Sequence, residues 1–176
     1  MIFTPSSLTG AYVIDLEIHE DERGFFARSC CVREFVQYGL RSDFQQCSIS
    51  FNKHAGTLRG LHYQAAAHAE AKLVRVTHGA IYDVIVDLRP ESPTFKRWFA
   101  LELTAQNRRQ LYVPEGFAHG FQTLTENSEV YYQISDPYVP ESARGLRWDD
   151  PAFGIRWPAG PRVISDRDQQ YPDFKG

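Results

Sequence analysis

Leu73-Val74-Arg75-Val76, the pair His78-Gly79, and Ala80-Ile81-Tyr82-Asp83-Val84-Ile85-Val86-Asp87-Leu88 decide the fold class of this chain. β-Branched residues crowd both runs, and they fit a pleated, half-buried surface better than a helix. A glycine-containing turn between the runs predicts a β-hairpin. The same texture recurs along the chain. Trp98-Phe99-Ala100-Leu101-Glu102-Leu103 reads as another strand. Glu129-Val130-Tyr131-Tyr132-Gln133-Ile134-Ser135 alternates, with Val130, Tyr132 and Ile134 on one face. Gly or Pro punctuates the chain at short intervals, among them Pro5, Gly10, Gly24, Gly39, Gly56, Pro90, Pro93, Pro114 and Gly116. That rhythm predicts an all-β sandwich or barrel. One short helix is expected at Val32–Tyr38, closed by Gly39. Beyond Pro158 the chain is rich in Pro and Asp and reads as an irregular tail laid over the body.

The 176 residues suit a single domain, 1–176, with no repeat or linker. Hydrophobic residues make up 43% and charged residues 23%, a globular balance, while aromatics reach 14%. Aromatic faces favour strands and can stack on a base or sugar. A formal net charge of -3 supplies no global field for nucleic acid or a membrane surface, so an anionic ligand has to be held by local arginines and lysines. Cys30, Cys31 and Cys47 have no metal-ligand spacing and read as free thiols. The start carries no secretory pattern and no apolar run approaches a membrane span, so a cytoplasmic location is expected.

Three segments concentrate chemistry. In Gly56-Thr57-Leu58-Arg59-Gly60-Leu61-His62-Tyr63-Gln64, alternation puts His62 and Gln64 on one face and Leu61 and Tyr63 on the other. The second is Tyr112-Val113-Pro114-Glu115-Gly116-Phe117-Ala118-His119-Gly120-Phe121, and the third Ile164-Ser165-Asp166-Arg167-Asp168. In the long strand, Asp83 and Asp87 share a face with Ile81 and Ile85. Asp83, mid-run, is expected to be functional or paired; Asp87 is either solvated or turned toward a polar ligand. The second segment resembles half of the metal-binding signature of cupins. Thr123 stands where that signature has Asn, and His62-Tyr63-Gln64 lacks the second His of the other half. No metal and no cofactor is therefore expected.

Without a metal, these groups suit proton abstraction beside a ketone. Histidine titrates near neutrality, as a base for that step must, and a cation is needed where the enolate oxygen develops. His62 can be the base, Asp168 its orienting carboxylate, Lys72 the enolate cation and Tyr132 the acid on the opposite face.

Taken together, the segments resemble the dTDP-4-dehydrorhamnose 3,5-epimerase family, from Asp21-Glu22-Arg23-Gly24-Phe25-Phe26 to Ser165-Asp166-Arg167-Asp168. Further matches are Lys72-Leu73-Val74-Arg75, Asp87-Leu88-Arg89, Ser92-Pro93-Thr94, Arg147-Trp148-Asp149-Asp150 and Ile155-Arg156-Trp157-Pro158. The resemblance implies a metal-free cupin jelly roll that is a homodimer and acts on dTDP-4-dehydro-6-deoxy-D-glucose. It implies the same roles for His62, Asp168 and Tyr132, and sets Lys72 and His119 in the sugar pocket. It gives Arg23, Gln46 and Arg59 to the nucleotide and its diphosphate, and brings Phe26, Asp83, Arg28, Ser48 and Arg167 into the substrate-binding set. The chain departs from the family at Arg28 (Glu in the family), at Ser48 (Asn), at Lys96 (Gly) and at Arg167 (Lys). These departures gather where the nucleotide is expected, not at the proton-transfer positions. Four alternatives share the shell: epimerisation at carbon 3 alone, 3,4-ketoisomerisation, a non-catalytic sugar-nucleotide binder, and a metal-dependent cupin oxygenase. The family dimer is further expected to pair N-terminal strands across protomers, with Ala11–Leu16 as an exposed edge.

Overall fold

A computed structural model describes residues 1–175, so Gly176 of the expected 1–176 domain lies outside the described residues. In chain order the first strands are β1 (Ile2–Pro5), β2 (Tyr12–Asp15), β3 (Ile18–Asp21) and β4 (Gly24–Ala27), then helix α1 (Val32–Gln37). Next come β5 (Gln46–Asn52), β6 (Thr57–Gln64), β7 (Lys72–His78), β8 (Ala80–Asp87) and β9 (Trp98–Thr104). The last are β10 (Gln110–Val113), β11 (Phe117–Thr123), β12 (Ser128–Ile134), β13 (Ala143–Gly145), β14 (Val163–Ile164) and helix α2 (Asp166–Gln169). One sheet runs β1-β2-β10-β7-β12-β5 and the other β13-β6-β11-β8-β9, with β14 added parallel to β6; β3 and β4 form a separate hairpin. The sandwich expected from the sequence is present. Its core interleaves Val74, Val76, Leu111 and Val130 of the first sheet with Ile81, Ile85, Leu103 and Phe121 of the second. Each such side chain, fully buried, contributes roughly 1.5–3 kcal/mol.

The expected hairpin does not form. β7 pairs with β10 and β12, and β8 with β11 and β9, so His78-Gly79 is a corner where the chain passes from one sheet to the other. Gly79 holds φ +76°, and a Cβ there would lie 2.6 Å from Ser128 Oγ, so the corner is closed to any larger residue. β8 takes a central place because both of its faces are buried. Ile81 and Ile85 point into the sandwich, while Val84 and Val86 lie under Leu146, Phe153 and Trp157 of the C-terminal segment. That segment is more ordered than an irregular tail, since it supplies β14 and α2.

Two other expectations change. Ala11–Leu16 is not an edge, because β2 is flanked by β1 and β10; the free edges of its sheet are β1 and β5. Asp87 is neither solvated nor turned to a ligand. It is fully buried and accepts hydrogen bonds from Arg89, Ser92 (2.5 Å) and Thr94 (2.7 Å), tying down the loop before β9. Helix α1 ends as expected: Gly39, at φ +69°, and Leu40 return their N–H groups to Val36 and Phe35. Among the described residues no helix is long and apolar enough to cross a membrane.

Candidate active site

β6 and β11 are neighbours, and His62 and His119 are direct Cα partners across them. The two strands approach closely at Gly60 and Gly120, where a Cβ on Gly60 would lie 2.5 Å from the Gly120 Cα. Each histidine leans on a carboxylate. His62 Nε2 lies 2.7 Å from Asp168 Oδ1, and His119 Nε2 lies 2.7 Å from Asp83 Oδ1. Asp168 comes from α2, whose N-cap Ser165 accepts from its N–H, and its second oxygen accepts from the Gly60 N–H at 3.1 Å. Burial works to raise the Asp168 carboxyl, but the bond to His62, that ring's charge and the Gly60 N–H outweigh it and leave it below the usual carboxylate range. With Nε2–H given to Asp168, the neutral His62 ring keeps its lone pair on Nδ1, the tautomer a base needs.

The facing sheet contributes from three strands. Gln46, Ser48 and Ser50 of β5, Lys72 of β7 and Tyr132 of β12 join Arg59, His62 and His119 around one cavity of about 350 Å³, with Tyr138 also on its wall. Strand register explains the grouping, because Tyr132 is the Cα partner of both Ser48 and Val74, and Ile134 of both Gln46 and Lys72. Lys72 is buried, with its ammonium 2.9 Å from Glu70 and 3.4 Å from the His62 carbonyl. Burial, and next the charge of Asp83, push the Tyr132 hydroxyl well above the usual phenol range, while Arg59 opposes them; the phenol stays protonated. Arg59 is steered by Asn52 Oδ1, which accepts from its Nε at 2.7 Å. Asn52 is itself fixed by its Nδ2 bonds to the Ser50 and Ser128 carbonyls.

Not every expected residue meets there. Asp83 is fully buried behind His119 and does not line the cavity. Arg167 lies in an adjoining recess with Tyr138, Arg144 and the edge of His62. Arg23, Phe26 and Arg28 sit outside, on or just after the β3–β4 hairpin, with Arg23 paired to Asp21 at 2.6 Å and Arg28 to Glu34 at 3.1 Å. The residue reading missed Asn52, Glu70, Tyr138 and Tyr171, the last of which meets the His62 ring edge-on at 6.3 Å. A polar run at every second position, Gln46, Ser48, Ser50 and Asn52, was the available signal for the first of these.

The donor set does not fit a cupin metal. Both imidazole Nε2 atoms are committed to carboxylates, and Gln64 donates to Glu70 and to the His68 and Pro137 carbonyls. Among the described residues no three His, Cys, Asp or Glu side chains converge. A larger cavity of about 610 Å³ lies by Arg41 and Arg89, but both guanidiniums are paired, to Asp43 and Asp136 and to Asp87.

The sequence profile described as dTDP-4-dehydrorhamnose 3,5-epimerase matches residues 5–176. A dTDP-4-dehydrorhamnose 3,5-epimerase of Methanothermobacter thermautotrophicus is 41% identical, over 98% of this chain and 94% of its own. The Bacillus anthracis enzyme of that name, solved with TDP and PPi bound, superposes with a TM-score of 0.94 at 40% identity, covering 98% of this chain and 99% of its own. A Legionella pneumophila dTDP-6-deoxy-D-glucose-3,5-epimerase, in complex with dTDP-4-keto-L-rhamnose, gives 0.88 at 34% identity over 99% of each chain. With its paired histidines, half-buried tyrosine and β-sandwich, this chain belongs to the dTDP-4-dehydrorhamnose 3,5-epimerase family.

Proposed function

We propose that this protein inverts carbons 3 and 5 of dTDP-4-dehydro-6-deoxy-D-glucose to give dTDP-4-dehydro-L-rhamnose, with its own side chains as the only acid and base. The observation that carries this reading is the division of labour between sheets. His62, held by Asp168, stands on one wall of the cavity and Tyr132 on the facing wall. His62 Nδ1 takes the proton from the carbon beside the ketone, and the electron pair moves onto the ketone oxygen. Lys72 balances that enolate. Tyr132 then returns a proton to the carbon from the other face. His62 releases its proton to water, Tyr132 regains one from solvent, and the cycle repeats at the second carbon.

Arg59, Gln46, Ser48 and His119 hold the nucleotide-sugar within the cavity, with Arg167 beside it. Arg23, Phe26 and Arg28 take part from the partner protomer of a homodimer. Two observations support this. β5 is inside out, with polar residues toward the cavity and Ile49 (65% exposed) and Phe51 (50%) outward; Phe26 on the hairpin is 76% exposed. Apolar side chains at a cavity rim are the expected place for a partner's hairpin. Sedimentation as a monomer at micromolar concentration removes the dimer. We place the reaction in the cytoplasm, in keeping with three free cysteines.

Incubation with the substrate in deuterated water tests the chemistry. Label is expected at carbons 3 and 5, lost in His62→Ala, while Tyr132→Phe keeps exchange on the His62 face but inverts slowly. Label at carbon 3 alone makes the protein a single epimerase. No label, or full inversion by His62→Ala, overturns the reading.

A further inference from the structure

Asp83 is an anomaly in this site. Its side chain is fully buried, one oxygen is held by His119, and the other has no hydrogen-bond partner. A buried carboxylate oxygen without a partner costs on the order of 1–3 kcal/mol or more, and natural cores leave few of them. Asp87, four residues along the same strand face, shows the ordinary solution, with donors from Arg89, Ser92 and Thr94. Asp168 also fills both oxygens.

The surroundings of Asp83 suggest what the open oxygen is for. His119, which it orients, meets the Tyr132 ring edge-on, with centroids 5.9 Å apart and an interplanar angle of 77°. Among the described residues nothing hydrogen-bonds the Tyr132 hydroxyl. His62 and His119 are Cα partners, so two histidine–carboxylate pairs of equal length stand side by side, one serving the base and the other beside the acid. A double inversion uses the acid twice. A phenol that has given its proton to the first carbon has to be reloaded before the second.

We propose that His119 and Asp83 form a proton relay that reloads Tyr132 between the two inversions of one bound sugar. The inference rests on the assignment of Tyr132 as the acid. In the first inversion the Tyr132 O–H bond breaks, a C–H bond forms, and a phenolate remains. An N–H of the His119 imidazolium then transfers its proton to that phenolate, and His119 is reprotonated by water in the cavity, where its ring lies. The unpartnered Asp83 oxygen supplies the negative charge that holds the imidazolium in waiting. His62 meanwhile gives the abstracted proton to water, so each centre exchanges one hydrogen with solvent and no net charge accumulates. The charge of Asp83, which helps keep the Tyr132 phenol protonated, works in the same sense.

His119 and Asp83 act here through Tyr132, so the readout has to follow the tyrosine. Enzyme in excess of substrate is mixed in a stopped flow for tyrosinate absorbance and in a rapid quench for proton NMR of each sugar centre. In Asp83→Asn and in His119→Phe the ratio of first to second inversion rates is expected to rise by about tenfold or more, at the low end of what a positioned proton-transfer group contributes. Tyrosinate absorbance is expected to persist between the two steps in both variants and not in the parent. Equal slowing of both centres without a tyrosinate signal, or no change in the ratio, overturns the relay and leaves the pair as packing. Should Asp83→Asn fail to fold, His119→Phe decides alone, since it keeps a ring against Tyr132. Inversion of a single centre by the parent enzyme instead counts against double epimerisation, and the tyrosinate signal still tests the relay.

Discussion

Replacing Asp168 with Asn separates orientation from packing, because the new side chain keeps the shape and loses one acceptor. Asp168 now accepts from two donors, His62 Nε2–H at 2.7 Å and Gly60 N–H at 3.1 Å. Asn has one oxygen and one NH2 to offer. If the NH2 faces Gly60, two donors meet in a site only 4% exposed, and the orphaned N–H costs about 1–3 kcal/mol. With the oxygen toward Gly60 instead, the NH2 faces His62, whose Nε2 becomes the acceptor and whose proton moves to Nδ1. Every hydrogen bond is then satisfied, so this second arrangement dominates by roughly five- to more than a hundredfold. Its imidazole presents a proton where it should present a lone pair. Asp168→Asn is therefore expected to fold with nearly parental stability at neutral pH while kcat falls by roughly five- to more than a hundredfold, the share of rings left in the productive tautomer, about 1–3 kcal/mol on the barrier. KM is expected to hold, because Asp168 lies behind His62 and off the cavity wall. Proton NMR in deuterated water gives turnover and wash-in, and thermal melts give stability. An Asn variant within about twofold of the parent kcat would refute the tautomer argument, whereas a variant that loses stability in step with activity makes Asp168 a packing residue.

Asn52→Ala removes the acceptor that aims the Arg59 guanidinium, a bond to a charged group worth about 1.5–3 kcal/mol. Affinity for thymidine diphosphate, measured by calorimetry, is expected to fall by about tenfold or more in Asn52→Ala; unchanged affinity removes Asn52 from the site. For Asp87, burial acts to raise the carboxyl, but Arg89, Ser92 and Thr94 bring it down to about 2 from 3.8. A lowered folded-state value adds stability that is present above 3.8 and lost as pH falls toward 2, on the order of 2 kcal/mol. Denaturant unfolding across that window is expected to show a drop in the parent that Asp87→Asn lacks, and parallel curves would exclude it.

Side-chain alternation made much of this site legible, because a period of two fixes which residues share a face. It placed Val130, Tyr132 and Ile134 together, set His62 opposite Leu61, and turned Asp83 inward with Ile81 and Ile85. What alternation does not carry is partnership. A run such as Ala80–Leu88 looks the same whether it folds back on Leu73–Val76 or crosses to another sheet, and the corner at Gly79 is decided by Ser128 and Thr125, far along the chain. Asp168 was beyond reach of periodicity for a related reason. It sits on a four-residue helix, α2; the polar cluster Ile164–Asp168 drew notice as a source of a carboxylate for His62, and the match of Ser165-Asp166-Arg167-Asp168 to a known family added to it. The role of Asp83 also needed coordinates, since a carboxylate that supports a histidine and one that touches a ligand occupy the same strand position.

The position of α2 has a bearing on how the protein comes into being. All fourteen strands precede Asp168 in the chain, so both walls of the cavity, with His62, Lys72 and Tyr132 already in place, are synthesised before the carboxylate that steers the base. During translation the sandwich has the material to close first, as a shell able to receive a ligand while its histidine is free to choose either tautomer. Competence arrives only when β14 lies down beside β6 and delivers the last turn of helix to Gly60. A nick between Ile164 and Asp168 is accordingly expected to lower turnover while binding of thymidine diphosphate persists.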